Sequence, residues 1–429
     1  MKRVFAKEFD WKRSGTTDKA VWQTAVDIVD AVRDGKDAAL RGLIAKLDGV
    51  ADATREDFAL RVPESRMRAA WEALDPSVQE ALAAAADRIR RFHELQVPSD
   101  IVMDGADGER LGMTWRSLRR VGVYAPGGRA AYPSTVLMNI IPAQVAGVRE
   151  IALASPAQRD TGFPHESVLA AAYLTGVKEV YRMGGAHAIA AFAYGTETIP
   201  AVDKVVGPGN AYVAMAKRAV MGDVGIDSVA GPSEVFIVAD GTADVDYVAA
   251  DMLAQAEHDV EAGAVCVTTS RAIAEGLPDA IETQLASLPT AAVARESIAK
   301  WGAIVVADSL DEAIDVVNRA APEHVELLCE DPDAALAKVQ YAGAAFLGPF
   351  TPEPVGDYYA GTNHVLPTYG SARFSSGLGV GDFVKRMTYV KYDRDTLMKH
   401  ANHIERLAHA EGFAAHAGSV HIRVVKEGN

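Results

Sequence analysis

From about Arg116 onward, short apolar runs of β type alternate with helical segments, and that alternation constrains the chain more than anything else in it. The runs lie at 121–124, 150–154, 179–183, 204–206, 235–239, 264–268, 303–306 and 344–347, with helical stretches such as 135–146, 167–174 and 244–256 between them. Strands that alternate with helices require right-handed crossovers and a mainly parallel sheet covered on both faces. So many strands exceed one compact sheet. The spacing therefore predicts an α/β protein with two Rossmann-like parallel-sheet domains and additional helical segments at its N- and C-termini. The joint falls near 230–234, where Ala-Gly-Pro-Ser interrupts the pattern. The expected division is a mostly helical region over 1–105, α/β domains over 106–233 and 234–375, and a helical tail over 376–429.

In the first region Thr17 or Asp18 can cap a helix that stops near Gly35, and Asp37 starts another that ends before Gly49. Asp75-Pro76 opens an Ala-rich helix to about Gln96. No chemistry is read there. After the last apolar run comes a loop over 348–379, rich in Gly, Pro and Thr and carrying Asp357, Tyr358, Asn363 and His364. A structureless stretch of that length in a compact protein marks function or disorder. The tail reads as a helix over 393–412, then His416, with His421 in a short strand.

The 429 residues carry a net charge of −15, which argues against general affinity for nucleic acid or an anionic membrane. Cys266 and Cys329 are the only cysteines and sit in apolar strand-like runs, so no disulfide framework is expected and a reducing, cytoplasmic setting is. Lys2, Arg3, Lys7 and Glu8 precede no apolar signal core, and no run reaches the ~18–20 residues of a membrane span.

Three glycine turns follow strands and precede helices: Tyr124-Ala125-Pro126-Gly127-Gly128, Met183-Gly184-Gly185-Ala186-His187 and Val206-Gly207-Pro208-Gly209-Asn210. Each is a weak signal alone and none is GxGxxG. Three on one sheet suggest a nucleotide crevice at strand ends, where backbone amides and helix N-termini can meet a ligand. Val245, Val248 and Met252 recur at helical spacing and put Gln255 and His258 on one face, able to take two positions around a divalent ion. By itself the pair reads equally as a polar helix end. Asp357, His364 and His416 are its candidate partners. Glu323-His324, at a strand entrance, offers two proton-transfer groups of different basicity.

Taken together, VGVYAPGG, GPGNAYVAMAKR, AGPSE, LAQAEHD, APEHVEL, GDYYAGTNHVLPT, SSGLGVGDFVKR and AEGFAAHAGSV, spread in one order over about 115–418, make the chain resemble the histidinol dehydrogenases. The resemblance implies a zinc enzyme that oxidises L-histidinol to L-histidine with two NAD+, the end of histidine biosynthesis. It implies Gln255, His258, Asp357 and His416 as zinc ligands and Glu323 and His324 as the proton-transfer pair. Ser233, His324, Asp357 and Glu411 would contact histidinol along with the metal-bound residues. Tyr124 and Asn210 match NAD-contacting positions, and His187 stands where the family usually has glutamine. It also implies a homodimer in which the C-terminal residues, His416 among them, complete the partner's site. Three other readings compete: a paralogue acting on another hydroxyl substrate such as a sulfonated diol, a zinc hydrolase and a non-catalytic binding protein. Ser233, Glu411 and His416 argue against the first, the missing HExxH against the second, and the filled catalytic positions against the third.

Overall fold

The computed structural model describes residues 1–11, 18–55, 57–127 and 131–426. They form two compact units, one of Met1–Gln96 with Leu118–Phe383, the other of Val97–Ser117 with the chain from Val384 onward.

The larger unit holds two parallel sheets. The first runs Glu179–Arg182, Glu150–Ser155, Arg120–Tyr124, Lys204–Val206, Gly225–Ile226 in spatial order. The second runs Lys2–Phe5, Ala303–Val306, Gly263–Thr268, Glu234–Ala239, His324–Leu328, Ala344–Leu347. Leaving aside Lys2–Phe5, each sheet starts in the middle, adds two strands on one side, then crosses back and adds two on the other. The same doubly wound order thus occurs twice, as the strand–helix alternation requires. The switch points lie between Arg120–Tyr124 and Lys204–Val206 and between Glu234–Ala239 and His324–Leu328.

Every residue of Glu234–Ala239 is buried, and its side chains alternate between two cores. Val235 and Ile237 pack with Val248 and Met252 on one face, while Phe236 and Val238 pack with Ile314 and Val317 on the other. That period-two division is why the strand reads as an unbroken apolar run and not as an alternating one.

Several elements differ from the sequence reading. Lys2–Phe5 is a strand, paired in parallel with Ala303–Val306 across the length of the chain. Asp18 caps the first helix, and Thr17 lies outside the described residues. The expected break is present: Lys19–Leu43 is two helices joined at a non-helical Lys36 (φ 48°, ψ −136°), between Gly35 and Asp37. The Lys36 ammonium holds the kink by donating to the carbonyls of Tyr194 and Gly195, both at 3.1 Å. A π-helical turn, Ile44–Asp48, follows and ends on Gly49 at φ 79°. The 348–379 loop contains a short helix, Glu353–Tyr358, so Asp357 sits on regular structure. In the smaller unit Val384–Lys391, Arg110–Ser117 and Ile101–Asp104 form an antiparallel sheet, accompanied by helices Arg394–Ala410 and Ala414–Lys426. His421 is therefore helical, because the tail's apolar residues fall at helical and not alternating spacing.

One buried ion pair fastens the first sheet's switch point. Lys217, on helix Ala211–Val220, pairs with Asp227, both nearly sealed from solvent. Its ammonium donates to the Gly207 carbonyl at 2.9 Å, while Asp227 accepts the Gly207 N–H at 2.8 Å. Removing one partner of a sealed pair strands the other charge. Lys217→Met should thus cost about 3–5 kcal/mol in denaturant unfolding, and adding Asp227→Asn should recover much of it. A single variant as stable as the parent would show that the pair does not hold the turn.

Candidate functional site

Two sets of residues singled out in the sequence lie at opposite edges of parallel sheets. The glycine turns sit at the carboxyl ends of the first sheet's strands. Glu323 and His324 sit at the amino end of a switch strand of the second.

The second set is the more highly charged. His324 opens the strand His324–Leu328 and is buried, with neither ring nitrogen in a hydrogen bond. Burial, reinforced by His258, pushes its pKa down to about 3, so the imidazole is neutral over ordinary pH. Two carboxylates face its Nδ1: Glu323 at 3.9 Å and Glu353 at 3.7 Å. Glu323 is fixed by the backbone N–H of Glu234 at 3.1 Å and by the side chain of Ser233. Burial, and after it the charge of Glu234, hold the Glu323 carboxyl well above its usual range.

Gln255 lies on the last turn of helix Val245–Ala256, and His258 follows just past its cap, so the expected common face spans the helix end. The Gln255 amide nitrogen meets His258 Nδ1 at 3.1 Å. Its amide oxygen is buried without a hydrogen-bond partner, an unusual state for such a group. His258, Glu353 and Asp357 each direct a ligand-type atom to within 4.8 Å of the others. Asp357 is pushed up to about 6, chiefly by burial, with His258 pulling the other way.

Glu353, Glu326 and Asp251 were not singled out in the sequence. Glu353 is 2% exposed and neither of its carboxylate oxygens has a hydrogen-bond partner. Its backbone N–H donates to Glu326 at 2.9 Å, and Glu326 hydrogen-bonds Asp251. Burial holds all three above the normal carboxylate range; the charge of Asp251 adds to it at Glu326 and that of Asp357, then Glu326, at Glu353, while the hydrogen bond with Glu326 draws Asp251 back down. Two had a visible signal. Glu326 stands alone in the run His-Val-Glu-Leu-Leu, and Asp251 lies among the apolar positions of its helix. Glu353 had none, since a glutamate between prolines looks like an ordinary loop charge.

These donors fit a divalent cation. The set combines imidazole, amide oxygen and carboxylate, which suits zinc or a similar ion. The orphaned Gln255 oxygen needs a partner, and a cation would relieve the repulsion among the buried carboxylates. Of the other candidates, His364 is turned elsewhere, with Nε2 at 3.3 Å from the Thr135 hydroxyl and Nδ1 at 3.0 Å from the Asp357 carbonyl. His416 and Glu411 belong to the smaller unit, where both are exposed and His416 lies against the ring of Phe413.

At the glycine turns the amides are already engaged by side chains. Gly184 N–H donates to Asp48 at 2.9 Å, Gly185 N–H to the Tyr124 hydroxyl at 3.1 Å and Gly207 N–H to Asp227. The glycines serve the packing of turn on turn. A Cβ at Gly207, where φ is +117°, would stand 2.0 Å from the Tyr124 carbonyl oxygen, and one at Gly184 would stand 2.6 Å from Pro156. Gly128 of the first turn lies outside the described residues. Tyr124 is buried, which pushes its phenol up to about 12. His187 is buried and paired with Asp48. Asn210 is exposed and caps helix Ala211–Val220, accepting from Tyr212 and Val213 N–H.

Comparison with known proteins agrees over almost the full length. A family model described as histidinol dehydrogenase matches residues 11–424. The histidinol dehydrogenase of Prochlorococcus marinus is 48% identical over 412 residues, covering 96% of this chain and 92% of that protein. That of Halalkalibacterium halodurans is 49% identical over 417 residues, covering 97% of each. A crystal structure of histidinol dehydrogenase from Elizabethkingia anophelis superposes with a TM-score of 0.92 at 33% identity, covering 100% of this chain and 99% of that one. The chain belongs to the histidinol dehydrogenase family.

Proposed function

We propose that this oxidoreductase is a zinc-dependent enzyme that carries L-histidinol through L-histidinaldehyde to L-histidine with two NAD+, closing histidine biosynthesis. The observation that carries the reading is the meeting of His258, Glu353 and Asp357, with the Gln255 amide against His258 and its oxygen unpartnered, and with Glu353 facing the ring of the buried His324. When bound, a zinc ion supplies Lewis-acid attachment for an amino alcohol and a nicotinamide supplies a hydride acceptor. Gln255, His258 and Asp357 would hold the ion, and the partner subunit's His416 would complete the set in a homodimer. Tyr124 and Asn210 line the proposed NAD side, the sealed His187 belongs to the turn that holds the Tyr124 hydroxyl, and Ser233 and Glu411 orient the substrate. Two free, buried cysteines accord with a reducing, cytoplasmic setting.

His324 is suited to take the alcohol proton. It is neutral, buried and free at both ring nitrogens, and its low pKa lets it pass the proton on. Glu323 is anchored by Ser233 and Glu234, and its raised pKa makes it the stronger base, suited to activate water on the aldehyde. Cys266 is sealed inside a strand with its thiol pushed up to about 12, so a thiolate intermediate has no support here.

The direct test supplies L-histidinol and NAD+ and counts NADH. Two equivalents per substrate, abolished by a chelator and restored by Zn2+, are expected, whereas one equivalent or none favours a paralogue. His324→Asn should depress both oxidations by roughly 10²-fold or more with metal content intact. Glu323→Gln should slow histidinol turnover more than turnover of the aldehyde hydrate. Near-normal turnover in both variants would discard these roles.

Metal binding and pH are linked through Asp357. The unfolded carboxyl ionises near ~3.9, while the folded one holds its proton to about 6. Between those values the metal-free fold loses stability as pH rises, because the unfolded chain releases a proton the folded chain keeps. A cation requires the ionised form, so the gain in Tm on adding Zn2+ should grow from pH 5 to pH 7.5. Equal gains at both would exclude Asp357 from the site. His258→Asn should lose metal, measured by elemental analysis, while its metal-free Tm stays near that of the parent.

A further inference from the structure

The π-helical turn Ile44–Asp48 belongs to none of the motifs above, yet it delivers a carboxylate to the glycine turn after strand Glu179–Arg182. One oxygen of Asp48 accepts the Gly184 N–H at 2.9 Å and meets His187 Nε2 at 3.2 Å. The pair is sealed, with side chains 8% and 1% exposed. A carboxylate can only accept, so Nε2 is the His187 nitrogen that donates here, and the other, Nδ1, is left outside the pair. That Nδ1 is enclosed and without a partner. Nothing that leaves the fold closed can reach it.

The next residue extends the connection. Gly185 N–H donates to the Tyr124 hydroxyl, and the Tyr124 carbonyl lies against Gly207, which the Lys217–Asp227 pair holds. Asp48 also sits at the N-terminus of the ten-residue helix Gly185–Tyr194. It takes the position where the helix dipole and free amides would otherwise attract a phosphate.

We propose that Asp48 and His187 form a buried clamp that positions Tyr124 for the dinucleotide, and that His187 acts through this clamp and not by touching the cofactor. The same clamp closes the Gly184–Gly185 turn to the pyrophosphate. Asp48 and His187 are positioning residues, and their role rests on the reading of Tyr124 as an NAD-side residue.

The test compares Asp48→Leu and His187→Leu with the conservative Asp48→Asn and His187→Gln in the full-length, zinc-loaded protein. Asparagine keeps an oxygen for both donors, and glutamine keeps an N–H for the carboxylate. Both leucine variants should weaken NAD+ binding, read by calorimetry, by about tenfold or more, the scale of one lost hydrogen bond to a charged group. Both should raise KM for NAD+ while kcat at saturating NAD+ and zinc content hold. Hydrogen exchange in the peptide over 183–187 should quicken in Asp48→Leu, and both conservative variants should restore the affinity. Weakening by His187→Leu without Asp48→Leu would mean that His187 touches the cofactor and would overturn the clamp, as would unchanged affinity in both. A parent protein that binds no NAD+ fails the cofactor reading and the clamp's role with it, whereas normal parent binding with unaltered variants fails the clamp alone.

Discussion

Six carboxylates crowd the amino edge of the second sheet: Glu234, Asp251, Glu323, Glu326, Glu353 and Asp357. After burial, the largest influence on Glu323, Glu326 and Glu353 is another carboxylate of the set, and on Asp357 it is His258. Burying one ionised carboxylate is costly, and gathering several multiplies the cost through mutual repulsion. The fold relieves this in two ways. Backbone N–H groups are aimed at the carboxylates, Glu234 N–H at Glu323 and Glu353 N–H at Glu326. Protons are also retained, which is what the raised pKa values express. A divalent cation would be a third way, and the unpartnered oxygens of Gln255 and Glu353 are where its charge would be felt.

Much of this was legible in the sequence because it rests on local pattern. Central parallel strands such as Arg120–Tyr124, Glu234–Ala239 and Gly263–Thr268 are buried on both faces, so their composition alone marks them, and helical spacing puts Gln255 and His258 together. What escaped depends on pairing across long separations. Lys2–Phe5 is four residues without a distinctive pattern, and it becomes a strand only because Ala303–Val306 offers an open edge. Asp48 closes a π-helical turn 136 residues before Gly184, whose turn it holds. The glycine turns were visible, but their use was not: the pattern cannot tell an amide offered to a ligand from one taken by Asp48, Asp227 or Tyr124.

The tail shows the limit of spacing in another way. His416 and Glu411 lie in the smaller unit, in and beside helices whose exposed residues include Leu407, Phe413, Ile422 and Val425. Their assignment to the same site as Gln255 rests on resemblance to a family and on no periodicity, since no local motif joins residues so distant in the chain.

The two edges of the winding differ in polarity, and this gives the division of labour a physical cause. Each helix that follows a strand begins at the carboxyl edge and ends at the amino edge. The carboxyl edge of the first sheet therefore gathers helix N-termini, which favour anions. The amino edge of the second receives the C-terminus of Val245–Ala256, whose unsatisfied carbonyls favour a cation and disfavour more negative charge. Ligand sites of doubly wound sheets ordinarily occupy the carboxyl edge because phosphate groups are drawn there. A cation would gain from the opposite edge, and there the acid cluster stands with Gln255 and His258 at a helix C-terminus. The two edges thus suit ligands of opposite charge, an anion at the one and a cation at the other.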